Sequence, residues 1–345
     1  MLMIMKTSVT TGFVSALSSR RCSWLLALVL FSFPVLCAAQ TCDMGDDIDA
    51  ATRTAVQQTA QRYFQMASRS DSASLQQNAI ASLAADFSGI QYSLSQNKDN
   101  LAGATATPQG TYLLSETTAP ANGRAEFFCG IYNSPDRVSF VIPNLTPGKY
   151  AVVVENVSGG KQPMQLTFVL QQDASGAWKL GGIYPRSKEI AGHDQDWYIA
   201  QARQYKAKGN NFDAWYYYVV AWDMAAPVDF MFNVAKDKVA DEMQAVRPPD
   251  LPSPDKPLTV TGNGKTFQFV QMFPVEYEKG LYLVMKYRVP QLGSNAQMFA
   301  DNTDAMKAMV AKYPQLREAF AGLVARALDP SGQDYGTPLA MNNIK

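Results

Sequence analysis

Gly176-Ala177-Trp178-Lys179-Leu180-Gly181-Gly182-Ile183-Tyr184 is the stretch on which the reading of the fold turns. It predicts a strand over residues 178–184, entered through the turn residues Asp173-Ala174-Ser175-Gly176. Working back from it, four more strand-like runs occupy residues 165–171, 150–156, 137–142 and 125–132. Ser158-Gly159-Gly160, Thr146-Pro147-Gly148 and Asn133-Ser134-Pro135-Asp136 separate them, so the set reads as an antiparallel meander. Residues 103–123 are rich in Gly, Ala, Thr and Pro and read as a loop with a short strand at 111–114. Before the loop, Val56, Ala60, Tyr63, Phe64 and Ala67 recur at helical spacing, and Leu75, Ala79, Ile80 and Leu83 do so again after a break, with Asp71 or Ser72 as the cap. Helices followed by a meander define an α+β unit whose sheet curls around a helix.

The helices, the meander and above all the 176–184 ending resemble the NTF2-like (cystatin-like cone) family, over roughly residues 45–186 of a first domain at 40–186. Its last strand often carries a tryptophan, a lysine and then alternating apolar residues. The resemblance implies a cone whose pocket holds acidic or histidine side chains in enzymes such as isomerases and dehydratases, and a plain binding or dimerising surface in other members. Fold alone therefore assigns no activity.

Residues 187–244 change period. Ala202, Tyr205, Ala214, Tyr218 and Ala221 stand at the spacing of one tetratricopeptide-like (TPR-like) helical hairpin, with Gly209-Asn210-Asn211 at the turn. Its second helix carries Trp215, Tyr216, Tyr217 and Trp222 around most of its circumference, which predicts burial on most sides, between the flanking units. Five prolines make residues 245–257 an extended linker. A second small α+β unit fills 258–345. Strands at 258–261 and 265–273 flank Gly262-Asn263-Gly264, and a third at 280–289 sets Leu281, Leu283, Met285 and Tyr287 on one face. Helices are predicted at 304–312 and 314–328, the second from an apolar stripe of Leu316, Phe320, Leu323, Val324 and Ala327.

The first 39 residues read as a signal peptide: Lys6, Arg20 and Arg21 without an acid, an apolar run over 24–36, and Cys37-Ala38-Ala39 before Gln40. The run falls short of the roughly 20 residues that span a bilayer as a helix. The expected location is therefore secreted or periplasmic, with no membrane span after cleavage near Ala39. Cys42 and Cys129 would remain, and an even pair in an oxidising compartment points to one disulfide, the alternative being two buried thiols. The mature chain would carry 27 basic and 30 acidic residues, which gives no electrostatic footprint for nucleic acid.

The chain has one histidine, so a multi-histidine zinc site is excluded, and neither a catalytic set, a metal set nor a cofactor motif is recognisable. His193-Asp194-Gln195-Asp196 is read as a helix cap rather than an acid–base cluster. The candidate pocket carboxylates of the first unit are Asp86, Glu126, Asp136 and Glu155. Trp215, Tyr216 and Trp222 are the candidate ligand-binding residues, as a stacking platform, against the competing reading that they are packing residues. The functional expectation is an exported, non-catalytic protein that binds a partner or acts as a scaffold. The alternative is a small-molecule binder, or an isomerase- or hydrolase-like enzyme, using the cone pocket.

Overall fold

A computed structural model describes residues 40–120 and 122–345, and the predicted signal peptide at 1–39 lies outside the described residues. In the first unit, five antiparallel strands form one sheet in the order β1 (Thr41–Met44), β2 (Thr105–Glu116), β5 (Gly148–Ser158), β6 (Met164–Gln172), β7 (Trp178–Ser187). Strand β5 is apolar on both faces. Ala151, Val153 and Val157 meet Val56, Ala60, Tyr63 and Phe64 of α1 (Ala50–Ser68), which Asp49 caps by accepting from the Thr52 N–H at 2.9 Å. Tyr150, Val152 and Val154 point the other way, onto Phe127 and Phe140. Two covered faces explain why β5 reads as a nearly unbroken apolar run.

The outer cover is a second sheet of β3 (Arg124–Cys129), β4 (Val138–Pro143) and β8 (Met231–Asn233), in the order β3-β4-β8. The five predicted strands are all present, but they are not one meander, because β3 and β4 leave the sheet to lie over it. Cys42 on β1 is bridged to Cys129 on β3, with the Cα atoms 5.0 Å apart.

Two other local expectations change. Residues 105–116 form a twelve-residue strand rather than a loop, because pairing to β1 and β5 on its two sides outweighs its Thr, Gly and Pro content. Pro108 is tolerated there at a register shift between Pro108 and Gly110. Asp71 does cap a helix, accepting from the Ser74 N–H at 3.1 Å, but α2 (Ser72–Gln77) stops after six residues. The free edge of β7 captures the chain there: the Leu180 N–H donates to the Asn78 carbonyl and the Ile80 N–H donates to the Leu180 carbonyl, both at 2.9 Å. Short helices α3 (Ala81–Ala85), α4 (Ser88–Gln96) and α5 (Lys98–Leu101) follow.

Helices α6 (Gln195–Ala207) and α7 (Asn211–Met224) form the expected hairpin, turning at Gly209 with φ +77°. Tyr198, Tyr205, Phe212, Tyr216, Tyr217 and Tyr218 share one continuous core with the C-terminal sheet. Contact with the first unit comes from the end of α7 and the segment after it: Arg186 pairs with Asp223 and Asp229, and Ala226 and Val228 enter the core under β3 and β4. Helix α8 (Val234–Gln244) follows. Residues 245–257 have no helix or strand, yet they are tied down. Arg288 donates to the Pro254 carbonyl at 2.8 Å, the Tyr313 hydroxyl donates to Asp250, and Val246 is buried.

The C-terminal sheet has the order β13 (Asp334–Ala340), β12 (Gly322–Leu328), β11 (Gly280–Arg288), β10 (Lys265–Tyr277), β9 (Leu258–Gly262). Asn263 and Gly264, at φ +51° and +71°, make the predicted two-residue hairpin between β9 and β10. Leu281, Leu283, Met285 and Tyr287 share the core face, as the alternation requires. Helix α9 (Asn295–Lys312) crosses from β11 to its parallel neighbour β12. The helix expected over 314–328 is therefore corrected: only α10 (Leu316–Ala319) is helical, and Leu323, Val324 and Ala327 belong to β12. A central strand buried on both faces loses its two-residue period, and a short apolar run of that kind reads equally well as helix.

Gly322 is what admits the central strand, since a Cβ there would overlap the Tyr282 ring and the Leu339 carbonyl oxygen. Gly322→Ala is expected to cost about 1–3 kcal/mol or more by overpacking. Gly89→Ala, in α4 with nothing within 4 Å, should be neutral or gain up to about 1 kcal/mol. Thermal or urea melts of the two variants check this, and equal melts would remove the packing role given to Gly322.

Candidate functional site

The four carboxylates of the first unit do not converge. Asp86 is exposed and accepts from the Ser88 hydroxyl at 2.7 Å and its N–H at 3.3 Å, bonds that lower its pKa. Glu126 points outward from β3 and pairs with Arg124 at 3.1 Å. Asp136 is exposed in the turn between β3 and β4. Only Glu155 faces α1, where it is fully buried and accepts from Gln61 Nε2 at 3.3 Å through Oε1, while Oε2 has no partner. Burial pushes its pKa up to about 7, against a smaller lowering by the Gln61 hydrogen bond.

A second buried carboxylate, Asp213, escaped the sequence reading. Its place in the first turn of α7 looks like ordinary helix-dipole chemistry, but it is fully buried and neither oxygen has a hydrogen-bond partner. Burial first, then the nearby Glu318 carboxylate, raise its pKa to about 7, with Lys208 opposing.

Both folded-state values lie above the unfolded ones, so the contribution of these groups to stability is fully present below about pH 4 and is lost as pH rises through about 7. Glu155→Gln and Asp213→Asn are therefore expected to exceed wild type in stability by roughly 2 kcal/mol each well above neutrality and to lose that advantage below about pH 4. Urea titrations at the two ends of the range read this directly. A difference that stays constant with pH would mean that neither carboxylate titrates as described.

Asp194 caps α6 by accepting from the Trp197 N–H at 2.9 Å, and the His193 ring stacks on Trp197 with centroids 3.6 Å apart and planes 4° from parallel. Asp196 stays exposed in the first turn. Among the described residues no three His, Cys, Asp or Glu side chains are grouped so as to hold a metal ion.

The candidate ligand residues on α7 separate. Trp222 is half-buried beneath Lys236, whose ammonium lies 4.0 Å from its ring centroid and whose own pKa is lowered by burial. Trp215 and Tyr216 instead line a groove of about 490 Å³ whose wall is the proline-rich segment, with Arg247, Leu251 and Lys256 around it and Met272 from β10. Tyr216 is 2% exposed and Trp215 half-buried. A second cleft, about 480 Å³, lies where β2, the 135–138 turn, the start of α6 and β8 meet, lined by Tyr112, Asp136, Arg137, Lys188 and Asp196 among others.

The tip of the β3–β4 hairpin is the other outstanding feature. Ile131 is 78% exposed, Tyr132 76% and Phe128 44%, with the Phe128 and Tyr132 rings 6.1 Å apart. Gly130 (φ +88°) and Asn133 (φ +64°) turn the chain around them, and no charge occurs between Phe127 and Pro135. The tip stands on fixed ground: Cys129 is in the disulfide and Arg137 pairs with Asp237 of α8. The sequence signal was present, since Ile131 and Tyr132 fall between two turn formers, but they read as the end of a strand.

Comparison with protein-family models, with characterised proteins and with solved structures found no match to this chain.

Proposed function

We propose that the protein is an exported, non-catalytic binding module that engages a protein partner through the Phe128–Ile131–Tyr132 tip. The single observation that carries this reading is the exposure of three large apolar side chains on one disulfide-anchored turn, because monomeric proteins rarely leave such a patch without a use for it. The scatter of Asp86, Glu126, Asp136 and Glu155 favours binding over catalysis, which needs titratable groups within reach of one another. Export is supported by the leader-like first 39 residues and by the disulfide. Gln40, the expected first mature residue, is tied into the fold: its amide donates to Glu116 at 2.7 Å and accepts from the Glu126 N–H at 3.0 Å.

We read the first unit as an NTF2-like cone used as a scaffold, with α1 in the concavity and β3–β4 on the outside. The α6–α7 pair is read as a TPR-like hairpin recruited to cover the C-terminal sheet. Both assignments rest on element order and on the residues quoted for them.

A photo-crosslinking residue at position 132, in protein expressed in its native host, should give a covalent adduct of discrete mass. The same residue at Tyr92, which is 68% exposed on α4, should not. Absence of an adduct at 132, or equal adducts from both positions, would remove the tip from the binding surface.

A further inference from the structure

The groove beside α7 lies away from the hairpin tip and has features that neither packing nor the partner-binding reading uses. Tyr216 is 2% exposed and its hydroxyl makes no hydrogen bond among the described residues, whereas those of Tyr198, Tyr205 and Tyr217 donate to the Ile190, Glu318 and Ala319 carbonyls. The charged groups lining the groove are both cations, Arg247 and Lys256, and neither is in an ion pair among the described residues. The neighbouring carboxylate, Asp250, is already engaged by the Tyr313 hydroxyl.

Apart from Ser253, the rest of the lining is apolar. The Arg247 guanidinium carbon stands 5.7 Å from the Trp215 ring centroid, and Pro248, Pro252, Leu251 and Met272 supply the walls. Lys256 Nζ donates to the Pro249 carbonyl at 3.0 Å and closes the proline-rich segment on itself. A guanidinium resting on an indole keeps its N–H edge available, and that edge matches a carboxylate in two parallel hydrogen bonds. The volume, about 490 Å³, falls within the usual range for a small-molecule site.

We propose that this groove binds a small molecule with a flat apolar body and a carboxylate, the body lying against Trp215, Leu251 and the prolines and the carboxylate meeting Arg247 and Lys256. The Tyr216 hydroxyl supplies a third polar contact at the floor. The site is independent of the hairpin tip, and Trp222, two helical turns along α7 and covered by Lys236, takes no part in it.

The test uses 2-naphthoate as the probe and its neutral carboxamide as the control, titrated calorimetrically into the mature, oxidised protein. Saturable one-to-one binding of the carboxylate is expected, weaker by about tenfold or more for the carboxamide and for Arg247→Ala. Lys256→Ala, also at an exposed position, should weaken the carboxylate alone. Tyr132→Ser should leave the affinity unchanged, which separates this site from the tip. Failure of the carboxylate to saturate, equal binding of the carboxamide, or unaltered affinity in both Arg247→Ala and Lys256→Ala would overturn the proposal.

Discussion

The outer face of the first sheet is apolar at Tyr112, Leu114, Val152 and Val154, and much of the structure follows from the need to cover it. Leaving these side chains in water would forfeit roughly 1.5–3 kcal/mol for each large one. Strands β3 and β4 therefore leave the meander and lie across that face, with Phe127 and Phe140 as the main filling. Three consequences come with that placement. The end of β3 meets β1, where the disulfide forms. The third strand of the cover, β8, comes from beyond α7, so the helical hairpin and its sheet are joined to the first unit. The turn between β3 and β4 leaves Ile131 and Tyr132 in solvent.

The sequence was most legible where local pattern and turn chemistry decide the outcome. The alternation in residues 280–289 gave the correct core face of β11, and Asp71, Asp194 and Gly264 each act in the local geometry their chemistry suggests. It was least legible where tertiary pairing overrides local preference. Nothing in residues 105–116 announces a twelve-residue strand until its two neighbours are known. The β12 segment carries a helix-like stripe because Val324 on one face and Leu323, Ala325 and Ala327 on the other are all buried, with only Arg326 to mark the strand period. Likewise five alternating runs state that strands exist, not which of them share a sheet.

The candidate sites show the same division. The aromatic content of α7 marked it as a helix surrounded by contacts, yet only the folded chain distinguishes Trp215 and Tyr216, which border a groove, from Trp222, which is covered by Lys236. Glu155 was one of four carboxylates in the first unit with nothing in the sequence to set it apart, whereas Asp213 resembled a routine first-turn acid. Its unusual state arises from the packing of Tyr205, Tyr217 and the α10 segment around it, residues far apart in the chain. The cysteine pair was the one long-range contact that composition alone suggested, because Cys42 and Cys129 are the only two left if the leader is removed.

The covering role of β3 and β4, held by the disulfide, can be measured by amide hydrogen exchange on the oxidised and the reduced protein. In the oxidised form the β3 amides that pair with β4 and the amides of residues 138–142 should be protected, and reduction should release them while residues 281–287 and 323–327 keep their protection. Fast exchange of the β3–β4 amides in the oxidised protein, or a simultaneous loss of protection in both sheets on reduction, would contradict a hairpin fixed locally over the first sheet.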